Sequence, residues 1–516
     1  MAGGAGQVTV AARTLALLLL LLVAAPVAAL IWRGGATVSA PSPAFWAALR
    51  FTVLQAGLSA LLSVALAVPV AKALARRHFP GRGALISLLG APFLLPVVVA
   101  ILGLLAVFGR QGPLNDALAL TGLPRLSIYG LQGVLLAHVF LNLPFAVRMI
   151  LQGWQAIPAE RLRLAAALGL TPGGILRHLE LPMLRQVLPG AFLVIFLLCL
   201  TSFVVALILG GGPAATTVEL AIYQALRFDF DLSAAAGLAS AQYGLCLAAV
   251  VLAWLLPGPA GFGAALDREM ALPAPAGWRQ GVDILLISAM SLFLLVPLLA
   301  VALRGVPGLA SLPGSVWPAL ATSILIALMA SVLASAAALV LALAVARGGS
   351  GLELAAMLPL TASPLVLGTG IFLLSRPFAA PETLALPVTL LVNAALSLPF
   401  VFRLILPEAR SLHQDYGRLA EALALRGWAR LRLLELPRLA RPLGFGAGVA
   451  AALSMGDLGV IALFASKKAA TLPLVIQRLL GAYRIEQAAA ASLLLVAASF
   501  ALFFAFDHLG RRHAAA

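Results

Sequence analysis

The chain has 516 residues, of which 62% are hydrophobic and 10% charged, with a mean hydropathy of +1.08. No soluble domain can bury that much apolar surface, so the composition excludes a soluble enzyme and leaves a polytopic membrane protein. The formal net charge of +16 raises nucleic acid as a partner, and the placement of the basic residues then excludes it.

In chain order, apolar runs of about 20 residues, enough to cross about 30 Å of hydrocarbon, fall near 13–32, 49–75, 84–109, 131–152, 188–210 and 236–256. A second set falls near 282–303, 319–346, 353–375, 385–406, 442–464 and 486–506. The first run, Leu15 to Leu30, contains Ala-Ala-Pro-Val-Ala-Ala and resembles a signal peptide. Read as an uncleaved helix, it supplies the twelfth span. The expected fold is all-α, with about twelve transmembrane helices in two six-helix repeats. Six spans per half start both halves on the same side, so the repeat is parallel, with its pseudo-two-fold along the membrane normal.

The expected organisation is an N-terminal span (1–48), a first transmembrane domain (49–256), a cytoplasmic linker (257–281), the first span of the second half (282–318), a second transmembrane domain (319–506) and a basic cytoplasmic tail (507–516). Pro and Gly enrichment marks the linker. With the N-terminus inside, most of the 34 Lys and Arg fall on cytoplasmic loops or tails, among them Arg76, Arg77, Arg161, Arg163, Arg511 and Arg512. That is the positive-inside rule. Cys199 and Cys246 lie in predicted spans, and the six His are scattered, so neither a disulfide framework nor a metal site is expected. His138 reads as a packed or pore-facing side chain.

Asn142–Pro182 repeats as Ser397–Pro437 at a constant offset of 255, with 18 of 41 positions identical. Both copies carry Leu-Pro-Phe, an Arg, Arg-Leu-Ala-x-Ala-Leu-x-Leu and a closing Leu-x-Glu-Leu-Pro. Arg161–Leu168 has helical spacing, Gly169 can end that helix, and Thr171-Pro172 reads as an N-cap followed by proline at the first helical position. A second helix is expected to run through Glu180 and end at Leu181-Pro182, giving a helix-turn-helix that projects into the cytoplasm. The second copy runs Arg418–Pro437 with Gly427 at the turn. The three lysines, Lys72, Lys467 and Lys468, do not follow glycine, so no Walker A sequence is possible. No catalytic residue and no bound cofactor are expected.

The repeated loop resembles that of ABC importer permeases: Glu-Ala-Ala, three residues, Gly, nine residues, Ile-x-Leu-Pro. Counting back from Pro182 places Arg163, Leu164 and Ala165 on the first three positions and Gly169 on the glycine. From Pro437 the same register gives Arg418, Leu419 and Ala420, with Ala424 in place of glycine. The leading Glu is thus Arg in both copies. The resemblance implies the type I importer (MetI-like) fold and makes these loops coupling helices for two copies of a separate cytoplasmic ATPase. Glu180, Leu181, Pro182, Glu435, Leu436 and Pro437 belong to the same motif.

Within fused permeases, four stretches look like those of thiamine and thiamine pyrophosphate import permeases: 109–114, 129–144, 210–226 and 456–464 with Thr471-Leu-Pro473. That resemblance implies a bacterial inner-membrane protein with both termini cytoplasmic, a periplasmic thiamine-binding protein and thiamine as solute. Glu219 and Asp457 lie near membrane ends, which avoids the cost of about 3 kcal/mol for a carboxylate at the centre. Either is a candidate to attract the thiazolium cation, and Tyr223 or Tyr483 to stack on it. Such carboxylates equally cap or pair, with selection left to the binding protein. A fused ferric-iron permease is an alternative. So is an ion-coupled secondary transporter, which would place ionisable groups in mid-span, where most of these spans have none.

Overall fold

The computed structural model describes residues 3–35, 42–89, 95–255, 277–349, 351–464 and 470–515. Most of the expected linker, 257–281, lies outside them. Among the described residues there are only helices and turns, as a chain crossing lipid requires when each span must satisfy its own backbone. Among the described residues eleven helices are long and apolar enough to span a membrane, and a bent pair makes twelve.

The first half runs α1 Gly3–Gly35, α2 Pro43–Arg76, α3 Val97–Phe108, α4 Pro113–Leu120, α5 Leu131–Gln155, α6 Ala159–Ala167, α7 Pro172–Leu200, α8 Val218–Arg227 and α9 Leu232–Leu255. The second runs α10 Trp278–Gly308, α11 Val316–Ala346, α12 Pro364–Ser375, α13 Pro381–Ala422, α14 Gly427–Phe464, α15 Leu472–Gly481 and α16 Ile485–Ala515. The basic tail from 507 onward continues α16 as helix. The span expected at 353–375 is not straight: Leu352–Thr361 and α12 meet at 91°. Ser363 caps α12 by accepting from the Val366 N–H at 3.1 Å, with Pro364 at the first helical position. A helix start is therefore written into the middle of that apolar run.

The helices form two compact units. One holds residues 42–217 and 247–304; the other holds 1–41, 218–246 and 305–516. Most of each half's first helix thus belongs to the unit built around the other half's repeated loop. In the second unit α1 packs on α11 and α12. A Cβ at Gly370 of α12 would lie 2.6 Å from the Pro26 carbonyl of α1, so only glycine permits this approach. In the first unit α10 meets α3 and α5: a Cβ at Gly103 would lie 2.7 Å from the Pro297 carbonyl, and Phe140 and Phe293 meet edge to face at 5.6 Å.

Within each unit buried polar side chains join apolar helices. Thr52, Gln55, Ser59 and Ser63 follow one buried face of α2. Gln55 donates to the Cys199 carbonyl at 3.0 Å, Ser59 pairs with His138 Nδ1 at 3.0 Å, and Asn142 reaches Cys199 Sγ at 3.4 Å. His138 is therefore a packed side chain. In the other unit Ser331 donates to the Ala447 carbonyl at 2.6 Å and Asn393 to Ser454 Oγ at 3.0 Å. Where lipid removes any apolar preference for neighbouring helices, such bonds and small residues hold the bundle together.

Candidate functional site

The two copies of the repeated polar loop share a left-handed cap and differ just after it, where Gly427 at φ +51° stands in the place of Pro172. Gly169 ends α6 in the left-handed region at φ +63°, and Ala424 ends α13 there at φ +52°. The Leu170 N–H reaches the Ala165 carbonyl at 3.0 Å, and the Leu425 N–H reaches that of Ala420 at 2.9 Å. These are the six-to-one bonds of a Schellman cap. Thr171 Oγ1 then accepts from the Gly174 N–H at 3.3 Å, with Pro172 at the first helical position. The expected cap is in place.

The expected end of the second helix at Leu181-Pro182 is not. Pro172–Ile175 leads into a π-turn, Leu176–Glu180, and the chain continues as helix from Leu181 to Leu200. The second copy does the same through Leu431–Glu435 into Leu436–Gly456. In a regular α-helix a proline ring collides with the carbonyl four residues back. Here the Leu181 N–H bonds to the Leu176 carbonyl, and the Leu436 N–H to that of Leu431, so the wider turn accommodates the proline that follows. Each loop is thus continuous with a long apolar helix.

Of the expected interface residues, Ala165 and Ala420 are buried at 3% and 1% exposure and hold the turn against its own unit. Arg163 and Arg418 are exposed. Beside them Leu164 and Leu168, and Leu419 and Leu423, stand 53–67% exposed one helical turn apart. Leu181 is exposed and Leu436 partly buried, while Glu180 and Glu435 are buried. Both glutamates are paired: Glu180 with Lys72 and, at 3.8 Å, Arg76; Glu435 with Arg347 and, at 3.0 Å, Arg430. The repeat did signal Glu180 and Glu435, but nothing in the sequence signalled their partners.

The other candidates lie in the second unit. Glu219, in the first turn of α8, has no exposed surface, and neither carboxylate oxygen has a hydrogen-bond partner. Burial pushes its carboxyl up to about 8, against the opposing influence of the Ser363 hydroxyl and the Gln242 amide. Tyr223, four residues on, is partly buried and meets Phe228 edge to face at 5.8 Å. Asp457 accepts from the Gly459 N–H at 3.2 Å, restarting the helix there. Tyr483 follows α15 with φ +58° and is 89% exposed. Glu219 and Tyr223 share one helix.

At Gly210–Gly212 the backbone turns through φ +71° and +131° at Gly211 and Gly212. A Cβ at Gly211 would stand 2.9 Å from that of Tyr129. The Gly130 N–H bonds to the Leu209 carbonyl at 2.8 Å. Asn115, fully buried, fixes the preceding segment. Its amide donates to the Gly109 and Leu126 carbonyls at 2.9 and 3.0 Å and accepts from the Leu126 N–H at 2.7 Å. Nothing in the sequence signalled this clamp, although Asn115 directly follows one of the four resembling stretches.

No family model matches the chain. It is 41% identical over 483 residues to the thiamine transport system permease protein ThiP of Salmonella typhimurium, covering 91% of this chain and 90% of that protein. The ThiP of Escherichia coli is 40% identical over 486 residues, with the same coverage, and that of Brucella abortus 37% over 478 residues, covering 90% and 87%. A sulfate transport system permease, CysW of Synechocystis, is 27% identical over 213 residues, 41% of this chain.

Proposed function

The chain belongs to the thiamine transport system permease family, and we propose that it is the membrane subunit of an ABC importer that carries thiamine inward. It is a multi-pass membrane protein, and the reading places it in a bacterial inner membrane with both termini in the cytoplasm. ATP is hydrolysed by two copies of a separate ATPase, and thiamine is delivered by a periplasmic binding protein.

The observation that carries the coupling part of this reading is the duplicated turn. Two copies 255 residues apart share a left-handed cap and an exposed leucine pair at Leu164/Leu168 and Leu419/Leu423. An exposed apolar pair on a polar loop, outside lipid, suits a cleft in a partner. Each turn then runs as helix straight into a membrane span, so a displaced turn moves a span.

For the solute, Glu219 and Tyr223, together on α8, are the candidate pair for a cation. Glu219 rests neutral in its buried position; a thiazolium beside it would favour the carboxylate by direct Coulomb attraction, while Tyr223 offers a ring face. Asp457 and Tyr483 stand as further positions on the path. The test is growth of cells that cannot make thiamine. Loss of this gene should raise the external thiamine they need and leave their response to iron limitation unchanged. A growth defect for iron and none for thiamine would contradict the reading.

A further inference from the structure

Each repeated loop carries a π-turn, a geometry with hydrogen bonds five residues apart that is rare in helices and concentrated at functional positions. Here the two π-turns, 176–180 and 431–435, lie between the exposed coupling turn and the span it joins. Left unbraced, such a turn could absorb a push on the loop by changing its local register. Both are braced at their last residue. Glu180 and Glu435, 2% and 3% exposed, bond to cations at the C-terminal end of the helix that opens each unit's core: Lys72 and Arg76 on α2, and Arg347 just past α11.

The two braces differ. Glu435 also binds Arg430, which stands on the second coupling helix itself, Gly427–Arg430, and lies 3.5 Å from His413. Ile175 occupies the matching place in the first loop, 255 residues earlier, and has no charge to give. Among the described residues the first loop is therefore ion-paired only at its base, and the second at its base and along its helix.

We propose that Glu180 and Glu435 are positioning residues for coupling. Each locks the π-turn of its loop to the first core helix, so that ATPase movement is carried into the bundle instead of being lost in the turn, and the second lock is the tighter. The proposal rests on the importer reading given above.

The test uses the complete complex of this chain, its ATPase and its binding protein in liposomes, reading thiamine imported per ATP hydrolysed. Glu435→Gln should lower that ratio at least fivefold while the ATPase still co-purifies, and Glu435→Asp should restore most of it. Arg430→Met keeps the Arg347 pair and therefore the fold. It should lower the ratio more than Arg76→Met does in the first loop. A wild-type ratio in both Glu435→Gln and Arg430→Met would overturn the lock while leaving the importer standing. Equal losses in Arg430→Met and Arg76→Met would overturn the difference between the loops. A wild-type complex that imports no thiamine would overturn the importer reading and the lock with it.

Discussion

Gly169 and Ala424 stand at the same point of the two repeated turns, and both hold a left-handed backbone, φ +63° and +52°. The alanine carries a conformation that costs an L-residue about 1 kcal/mol. A Cβ added at Gly169 would meet nothing within 4 Å, so the cost of alanine there is conformational and not steric. Ala424→Gly should slow amide exchange at Leu425, and Gly169→Ala should speed it at Leu170, each by roughly fivefold for about 1 kcal/mol. Site-resolved hydrogen exchange checks both, and no change in either would show that the turn is not held by this cap.

The same open space makes these positions probes of docking. Gly169→Asp and Ala424→Asp place a charge beside the exposed leucine pairs without entering the packed bundle. The expected outcome is normal membrane assembly with reduced ATPase co-purification and reduced thiamine uptake. Full association and full uptake in both variants would remove the turns from the interface.

Glu219 gives a pH dependence with a definite sign. Its carboxyl is raised from 4.5 to about 8 by burial, so the folded chain keeps a proton that the unfolded chain loses above 4.5. Its contribution to stability is therefore complete below pH 4.5 and declines as pH rises toward 8, by up to about 1.4 kcal/mol per pH unit for one group. Above 8 the dependence flattens. Ser363, Gln242 and Cys246 face it. Thermal inactivation in detergent from pH 5 to 9 should show this decline in the wild type and lose it in Glu219→Gln. Parallel curves would mean that Glu219 is already ionised at neutral pH.

The N-terminal helix is tested at Gly370. Gly370→Val would force the Pro26 backbone away from α12 and should destabilise that contact by about 1–3 kcal/mol. A lowered midpoint of thermal aggregation in detergent is expected. A midpoint equal to the wild type would show that α1 does not pack there in the mature protein.

Most spans were legible because hydropathy over about 20 residues is what lipid itself reads. The repeated loop was legible because Leu-Pro-Phe and Glu-Leu-Pro recur at one offset. The 91° break at Ser363-Pro364 was legible only as a cap signal, which the surrounding apolar run obscured. The π-turn was hidden because Pro182 and Pro437 ordinarily stop a helix, and only the wider turn before each lets it continue. The choice of partner for α1 and α10 had no sequence signal: lipid-facing leucines look alike, and small residues such as Gly370 and Gly103 mark a close approach without naming the neighbour. The surroundings of Glu219 were hidden for the same reason, since Ser363 and Gln242 come from distant parts of the chain.

The most direct test is solute uptake into liposomes holding this chain with its ATPase and binding protein. Thiamine should accumulate only when all three proteins and ATP are present, and no proton or sodium gradient should replace ATP. Thiamine uptake by the chain alone under such a gradient, or transport of iron and not thiamine by the complete complex, would contradict the account.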